Sequence, residues 1–443
     1  MERMNQDTTS SKKSPGKAVA AASIGNALEW YDFSVFAFFA TYIGHSFFID
    51  GDENSTLFKT FLIFAVGFIA RPLGALYLGL YGDRVGRKSA LVLTIALMAI
   101  GTLIIAIAPP IWMIGIGAPI LLLVGRLLQG FSAGGEIGGA TAFLVESAPK
   151  EKQAVYASWL QASMGISNIL AALVGVTITS YFTDPEIHEW AWRIPFIIGL
   201  LIVPVGWYIR RNLDETEDFK IQQRAQQHIA PPTLKTILKE YPKHILFGFM
   251  FSILWAVSIY TFIIYMPTYY SSHSAGLGFT RNQAFTASLI GNVFMVVLCV
   301  VSGSLADRFG MARILKIGAL ILLFGSYPLL AWLQHSPTFS TLIMVHIAFC
   351  MMVSIFCGVA PAALASIFPV AVRTTGMSIS YNIATIFFAG FAPALLTWAT
   401  AYNVMAPSFY LIMASFVGLI ALHFMFNLNA EVVPESQSVN KIV

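Results

Sequence analysis

Apolar positions along the 443 residues neither alternate nor keep to one helical stripe. They fill continuous runs of about 20 residues, the length that crosses a hydrocarbon core as a helix. Twelve such runs can be drawn, at 17–43, 57–80, 89–108, 117–146, 154–182, 192–210, 243–272, 283–304, 313–334, 338–367, 376–402 and 406–427. Short polar segments separate them, and the connection between runs 8 and 9 is very short. The pattern predicts an all-α integral membrane protein with twelve transmembrane helices. Composition agrees: 57% of residues are hydrophobic and 11% charged, against about 25% charged in a soluble globular chain. The polar stretch 1–16 precedes a run holding two acids, so it does not read as a removable signal peptide.

Basic residues orient the helices. With both termini on the inside, 21 of the 26 Lys and Arg residues fall in or beside inside segments, and only Lys59, Arg193 and Arg281 reach the other face. That asymmetry follows the positive-inside rule. The net charge of +4 therefore reflects topology and gives no reason to expect a nucleic-acid partner. Cys299, Cys350 and Cys357 sit in apolar runs without metal-type spacing. No phosphate-binding loop of the Gly-x-x-x-x-Gly-Lys-Ser/Thr type occurs, so the expected drive is an ion gradient or the substrate's own gradient, with no cofactor.

The chain repeats itself. Gly79-Leu-Tyr-Gly-Asp83-Arg84-Val-Gly86-Arg87-Lys88 follows run 2, and Gly303-Ser-Leu-Ala-Asp307-Arg308-Phe-Gly310 follows run 8, displaced by 224 positions. Two pseudo-symmetric six-helix bundles follow from this spacing. The predicted divisions are a tail (1–16), an N-terminal bundle (17–210), a central inside loop (211–242), a C-terminal bundle (243–427) and a second tail (428–443). In both repeats the Asp stands where it can accept backbone amides at a neighbouring helix start. Gly79, Asp83, Arg84, Gly86, Arg87, Asp307 and Arg308 are thus candidates for an inside gate. Met311 and Ala312 replace the basic pair of the first half, which predicts a weaker charge network in the second.

Ionisable groups inside the runs carry the chemistry, because a charge at a bilayer centre costs at least about 2.5 kcal/mol and is kept for pathways. Glu29 and Asp32 share one helix face in run 1. Arg126, Gln129 and Glu136 lie on one stripe of run 4, among glycines that allow close helix approach. Arg71 completes the set. The spans of the second half hold no Asp or Glu. Proton coupling is therefore expected of Glu29, Asp32 and Glu136, and substrate binding of Arg126, Arg71 and Gln129. Gln161, Tyr260, Tyr265, Asn292, Tyr381 and Asn382 would add amide and aromatic contacts. The duller alternative is that either acid pairs permanently with Arg71 or Arg126 and only fixes packing.

The loop at 79–88 resembles the signature of the major facilitator superfamily. Gly25-Asn26-Ala-Leu-Glu29-Trp30-Tyr31-Asp32-Phe33, Arg71-Pro72-Leu-Gly74, Gln129-Gly130-Phe-Ser132-Ala-Gly134-Gly135-Glu136 and Trp192-Arg193-Ile-Pro195-Phe196 resemble its metabolite/proton symporter family, which includes carriers of citrate, α-ketoglutarate, shikimate and proline/betaine. The resemblance implies the major facilitator fold, alternating access and proton symport across a bacterial inner membrane by a monomer. Two substrate classes stay open: a di- or tricarboxylate held by arginine, and a compatible solute such as proline or betaine held in an aromatic cage. The short tail 431–443 lacks the long heptad segment of osmosensing relatives. A membrane sensor has no soluble signalling domain here to support it, and an enzyme has no grouped nucleophile and base.

Overall fold

A computed structural model describes residues 15–49, 52–85, 87–134, 136–211, 234–369 and 372–431. Every regular element among them is helical. The main helices are α1 (Pro15–Phe38, continuing as Ala40–Phe47), α2 (Glu53–Val85), α3 (Arg87–Ile107), α4 (Gly117–Ala133 and Glu136–Ser147), α5 (Gln153–Tyr181) and α6 (Ile194–Arg211). The second set is α7 (Pro242–Ser271), α8 (Arg281–Phe309), α9 (Met311–His335), α10 (Phe339–Cys357 and Ala360–Ser366), α11 (Arg373–Thr400) and α12 (Ala406–Glu431). Among the described residues nine helices are long and apolar enough to cross a membrane, and α3 and α6 contribute the shorter apolar stretches Val92–Ile107 and Ala191–Leu201. The outward faces carry apolar side chains such as Ile69, Leu73, Val297, Val301 and Phe324, as lipid-facing positions require.

Packing repeats with an offset of six helices. In the first half α1 packs on α5 and α6, α2 on α4, and α3 on α4 and α6. In the second half α7 packs on α11 and α12, α8 on α10, and α9 on α10 and α12. The halves meet along two seams, α5 against α8 and α2 against α11. Both seams run past α1 and α7, so the interior between the halves is lined from both sides of the repeat.

Prolines and glycines break the helices where the apolar pattern alone predicts continuity. In α7 a π-turn occupies Tyr260–Tyr265 just before Pro267, and in α11 another occupies Ile386–Gly390 before Pro393. A proline has no amide for the preceding turn and crowds its carbonyl, and a π-turn absorbs the misfit. The first π-turn is wholly buried, while the second buries Ala389 and Gly390 and turns Phe387 outward. The α8–α9 connection is Gly310 alone, at φ 95°, a left-handed-side conformation that a Cβ disfavours. At the α2–α4 crossing, a Cβ on Gly130 would lie 1.8 Å from the Gly67 carbonyl oxygen. The glycines of α4 therefore set its distance from α2, and with it the spacing of Arg71 and Arg126.

Candidate substrate and proton site

Helix α1 supplies the centre of the site. Glu29 Oε1 lies 3.2 Å from Nη2 of Arg71 on α2, and the two side chains are 3% and 1% exposed. The guanidinium carbon of Arg71 sits 4.8 Å from the Phe33 ring centre and 4.5 Å from that of Phe68. Its Nε and Nη1 meet no carboxylate or carbonyl among the described residues, and the Tyr260 hydroxyl lies beside the guanidinium. Arg126 on α4 is enclosed by Phe33, Phe36 and Phe64 at 4.6, 4.5 and 4.8 Å. Its Nη1 donates to Gln129 Oε1 at 2.7 Å, while its Nε and Nη2 find no acceptor there. Each buried donor left unsatisfied costs about 1–3 kcal/mol, and more when charged.

Asp32 turns the other way, into the first bundle. Its Oδ2 accepts from the Thr102 hydroxyl on α3 and from Gln129 Nε2 at 3.3 Å. Gln129 Nε2 also donates to Thr102 Oγ1 at 2.9 Å. A Cβ on Gly199 of α6 would come within 2.9 Å of Asp32 Oδ1, so α6 closes over the acid. The shared face predicted for Glu29 and Asp32 thus splits between two arginines: Glu29 meets Arg71, and Asp32 reaches Arg126 through an amide. The Glu136 side chain, like those of Gly79, Asp83, Arg84 and Arg87, lies outside the described residues, as does Gly86 altogether.

From the second half, the Tyr260 ring packs against Phe68, Trp30 and Phe64 at 5.3, 5.5 and 6.5 Å. Tyr381 lies 4.6 Å from Trp255, and both Tyr260 and Tyr381 are near enough to interact electrostatically with Arg71. Tyr265 stacks edge-on with Phe61 at 6.1 Å. Gln161 is buried on α5, its Nε2 without a described acceptor. Two amides bridge the halves. Asn168 on α5 donates to Asn292 on α8 at 3.2 Å, and Asn382 on α11 donates to the Gly134 carbonyl on α4 at 3.1 Å.

Contacts between the halves close both ends of this interior. At the terminal face, Arg373 meets Glu146 at 3.1 Å, and Asp307 accepts the amides of Ala154 and Val155, both at 2.9 Å, capping α5. At the opposite face Arg281 meets Glu53 at 3.3 Å and stacks over Tyr42 at 4.7 Å. Asn54, Thr268, Ser272 and His273 lie around that pair. Sequence reasoning missed Phe33, Phe68, Thr102, Asn168, Glu53 and Glu146. The aromatic positions carried no signal beyond apolarity, and long-range pairing of Thr102 or Glu53 leaves no local pattern.

A twelve-helix repeat, a Gly-x-x-x-Asp-Arg-x-Gly loop after the second helix of each half, and buried arginines between the bundles agree with the comparisons. Residues 22–367 match the model of the Major Facilitator Superfamily. The chain belongs to that superfamily. It is 36% identical over 411 residues to the citrate-proton symporter of Salmonella typhi, covering 92% of this chain and 93% of the relative. It is 33% identical over 417 residues to the proline/betaine transporter of Escherichia coli (strain K12), covering 91% of this chain and 82% of the relative. Among solved structures, a D-xylose-proton symporter superposes with a TM-score of 0.72 at 18% identity, covering 93% of this chain and 97% of that one. The superfamily member described here is a multi-pass membrane transporter.

Proposed function

We propose that this transporter is a proton-coupled symporter of a small organic anion, a di- or tricarboxylate such as citrate, working as a monomer in the bacterial inner membrane with both termini in the cytoplasm. One observation supports the reading: Arg71 and Arg126, buried within one aromatic cluster, have two guanidinium nitrogens each that meet no carboxylate or carbonyl among the described residues, with the Tyr260 hydroxyl beside Arg71. A carboxylate supplies paired acceptors in the geometry a guanidinium prefers. The similarity to a citrate-proton symporter along nearly the whole chain supports the same substrate class.

In this mechanism a proton enters from outside and neutralises Glu29. The Glu29–Arg71 ion pair then breaks, and Arg71 turns its free edge to a substrate carboxylate. Segments 17–210 and 243–427 rock about the central site, with 211–242 as the tether. The inside pair Arg373–Glu146 opens as the outside pair Arg281–Glu53 closes. Loss of the proton to the cytoplasm returns Glu29 to Arg71 and expels the anion.

A second reading rests on the aromatic walls. Trp30, Phe33, Phe64, Phe68 and Tyr260 would suit a quaternary ammonium by cation–π attraction, and the proline/betaine relative supports it. Arginine already occupies the faces of Phe33 and Phe68, so the anion takes precedence. Uptake into proteoliposomes with an alkaline interior separates the two readings, using labelled citrate, α-ketoglutarate, shikimate, proline and betaine with and without a protonophore. Protonophore-sensitive accumulation of an acid is expected. Accumulation of proline or betaine alone transfers the function to the second reading.

A further inference from the structure

The two acids of α1 differ in one respect that the carrier cycle does not explain. Glu29 touches its arginine directly, whereas Asp32 and Arg126 interact as charges across space and share a hydrogen-bonded link through Gln129. The amide orientation follows from chemistry. Arg126 has only donors, and ionised Asp32 has only acceptors. Oε1 must therefore face Arg126, at 2.7 Å, and Nε2 must face Asp32, at 3.3 Å. All three side chains, with Thr102, are buried to 4% exposure or less, so no solvent competes for these bonds.

Protonation of Asp32 alters that arrangement. Its carboxyl becomes a donor and no longer offers Nε2 a charged acceptor. Two acceptors are within reach of the added proton. One is the Thr102 oxygen, whose own hydrogen then turns to the Met98 carbonyl at 3.0 Å. The other is Gln129 Oε1 after a half-turn of the amide about its terminal bond, which takes the acceptor away from Arg126. We infer that Gln129 is a positioning residue that transmits the protonation state of Asp32 to the guanidinium of Arg126, holding the arginine back while Asp32 is ionised and releasing it when Asp32 is protonated. The amide moves no proton itself. It exchanges hydrogen-bond partners, and the proton stays on Asp32 until it leaves for solvent.

Gln129 is the one described side chain hydrogen-bonded to both Asp32 and Arg126, which otherwise interact only as charges across space. Of the charged and titratable side chains around Asp32, Tyr31 is committed to the Pro195 carbonyl at 3.0 Å, Glu29 is engaged with Arg71, and the neighbours from α3 and α6 are the uncharged Thr102 and Gly199. The inference assigns a place in the symport cycle proposed above, but its test needs no substrate.

The full chain in lipid, with isotope-labelled arginine, is titrated with acid while infrared difference spectra follow carboxyl and guanidinium bands. Asp32→Asn identifies the carboxyl band and Arg126→Lys the guanidinium band. In the unaltered chain both bands should change over one titration. In Gln129→Met, which keeps the volume and removes the amide, the carboxyl should still titrate while the guanidinium change falls to a small fraction of its amplitude. Gln129→Glu serves if the Met variant does not fold: a carboxylate at 129 pins Arg126, and its band should stay constant through the Asp32 titration. A guanidinium change of full amplitude in either variant, or no Asp32 titration in the unaltered chain, overturns the inference. A failure of citrate uptake would not affect any of these readings.

Discussion

Arg71 meets Glu29 through a single nitrogen, at 3.2 Å, and its remaining edge, Nε and Nη1, meets no second carboxylate among the described residues, with the Tyr260 hydroxyl alongside. A structural pair would use the fork fully, since a bidentate carboxylate satisfies two N–H groups at once. The half-used guanidinium is what a transient partner looks like. In the proposed cycle, Glu29→Gln leaves Arg71 permanently released. Anion affinity should then lose the part of its pH dependence that runs through Arg71, leaving only the part that Asp32 exerts through Arg126, while accumulation against a gradient is sharply reduced. Arg71→Lys should weaken anion binding by about tenfold or more, because a point charge replaces the planar fork. Equilibrium binding at several pH values checks both. A Glu29→Gln protein with unchanged pH dependence would remove Glu29 from the coupling step.

Packing at the α2–α4 crossing gives a contrast between two glycines of one helix. A Cβ at Gly130 falls 1.8 Å from the Gly67 oxygen, while one at Gly139 meets nothing within 4 Å. Gly130→Ala must push two backbones apart, a form of overpacking that costs about 1–3 kcal/mol when only side chains yield and more when backbone must move. Gly139→Ala should instead gain about 0.5–1 kcal/mol of helix stability. Thermal-shift and size-exclusion profiles of the detergent-solubilised proteins should show loss of the folded peak for the first and a raised Tm for the second. The reverse order would mean that α4 does not approach α2 as described.

Much of this architecture was legible in the pattern of residues. The lengths of the apolar runs implied twelve helices, and the repeated Gly-x-x-x-Asp-Arg-x-Gly implied two related halves, because both signals are local or strictly periodic. Charge in lipid is conspicuous, so Glu29, Asp32, Arg71 and Arg126 announced themselves. What they pair with did not. Glu29 and Asp32 sit only three residues apart, yet helices from different parts of the chain decide that one faces Arg71 and the other Thr102 and Gln129. The π-turns at Tyr260–Tyr265 and Ile386–Gly390 were equally hidden, since a proline announces a disturbance without specifying the form it takes. Phe33 reads as one apolar residue among many until two arginines lie against it.

The ion pairs at the two ends predict opposite effects on the conformational balance. Arg373–Glu146 joins α11 to α4 at the terminal face, and Arg281–Glu53 joins α8 to α2 at the other. Each is partly exposed, so each is worth about 0.2–1 kcal/mol, up to about a fivefold change in a two-state ratio. Glu146→Gln should raise the labelling rate of cysteines introduced behind the terminal-face contact and lower it at the opposite face. Glu53→Gln should do the reverse. High salt should mimic both weakly. Equal changes at both faces for either variant would show that these contacts do not act as opposed latches.

Beside the Glu53 contact, the short helix Asp184–Glu189 carries a further pH-dependent group. His188 is half-buried, its ring centre 4.5 Å from His45 and 4.7 Å from Tyr42, and its Nδ1 has no hydrogen-bond partner among the described residues. Burial, with smaller contributions from His45 and Arg281, lowers its pKa from 6.5 to about 4. The folded state thus favours the neutral ring, so its contribution is fully present above the unfolded value of 6.5 and is lost as pH falls towards 4. Thermal stability should decline over that window, and His188→Gln should flatten this part of the profile without altering the plateau near neutral pH. If the variant keeps the same acid-side slope, the loss belongs to other groups and the ring at 188 is no more than packing for Tyr42.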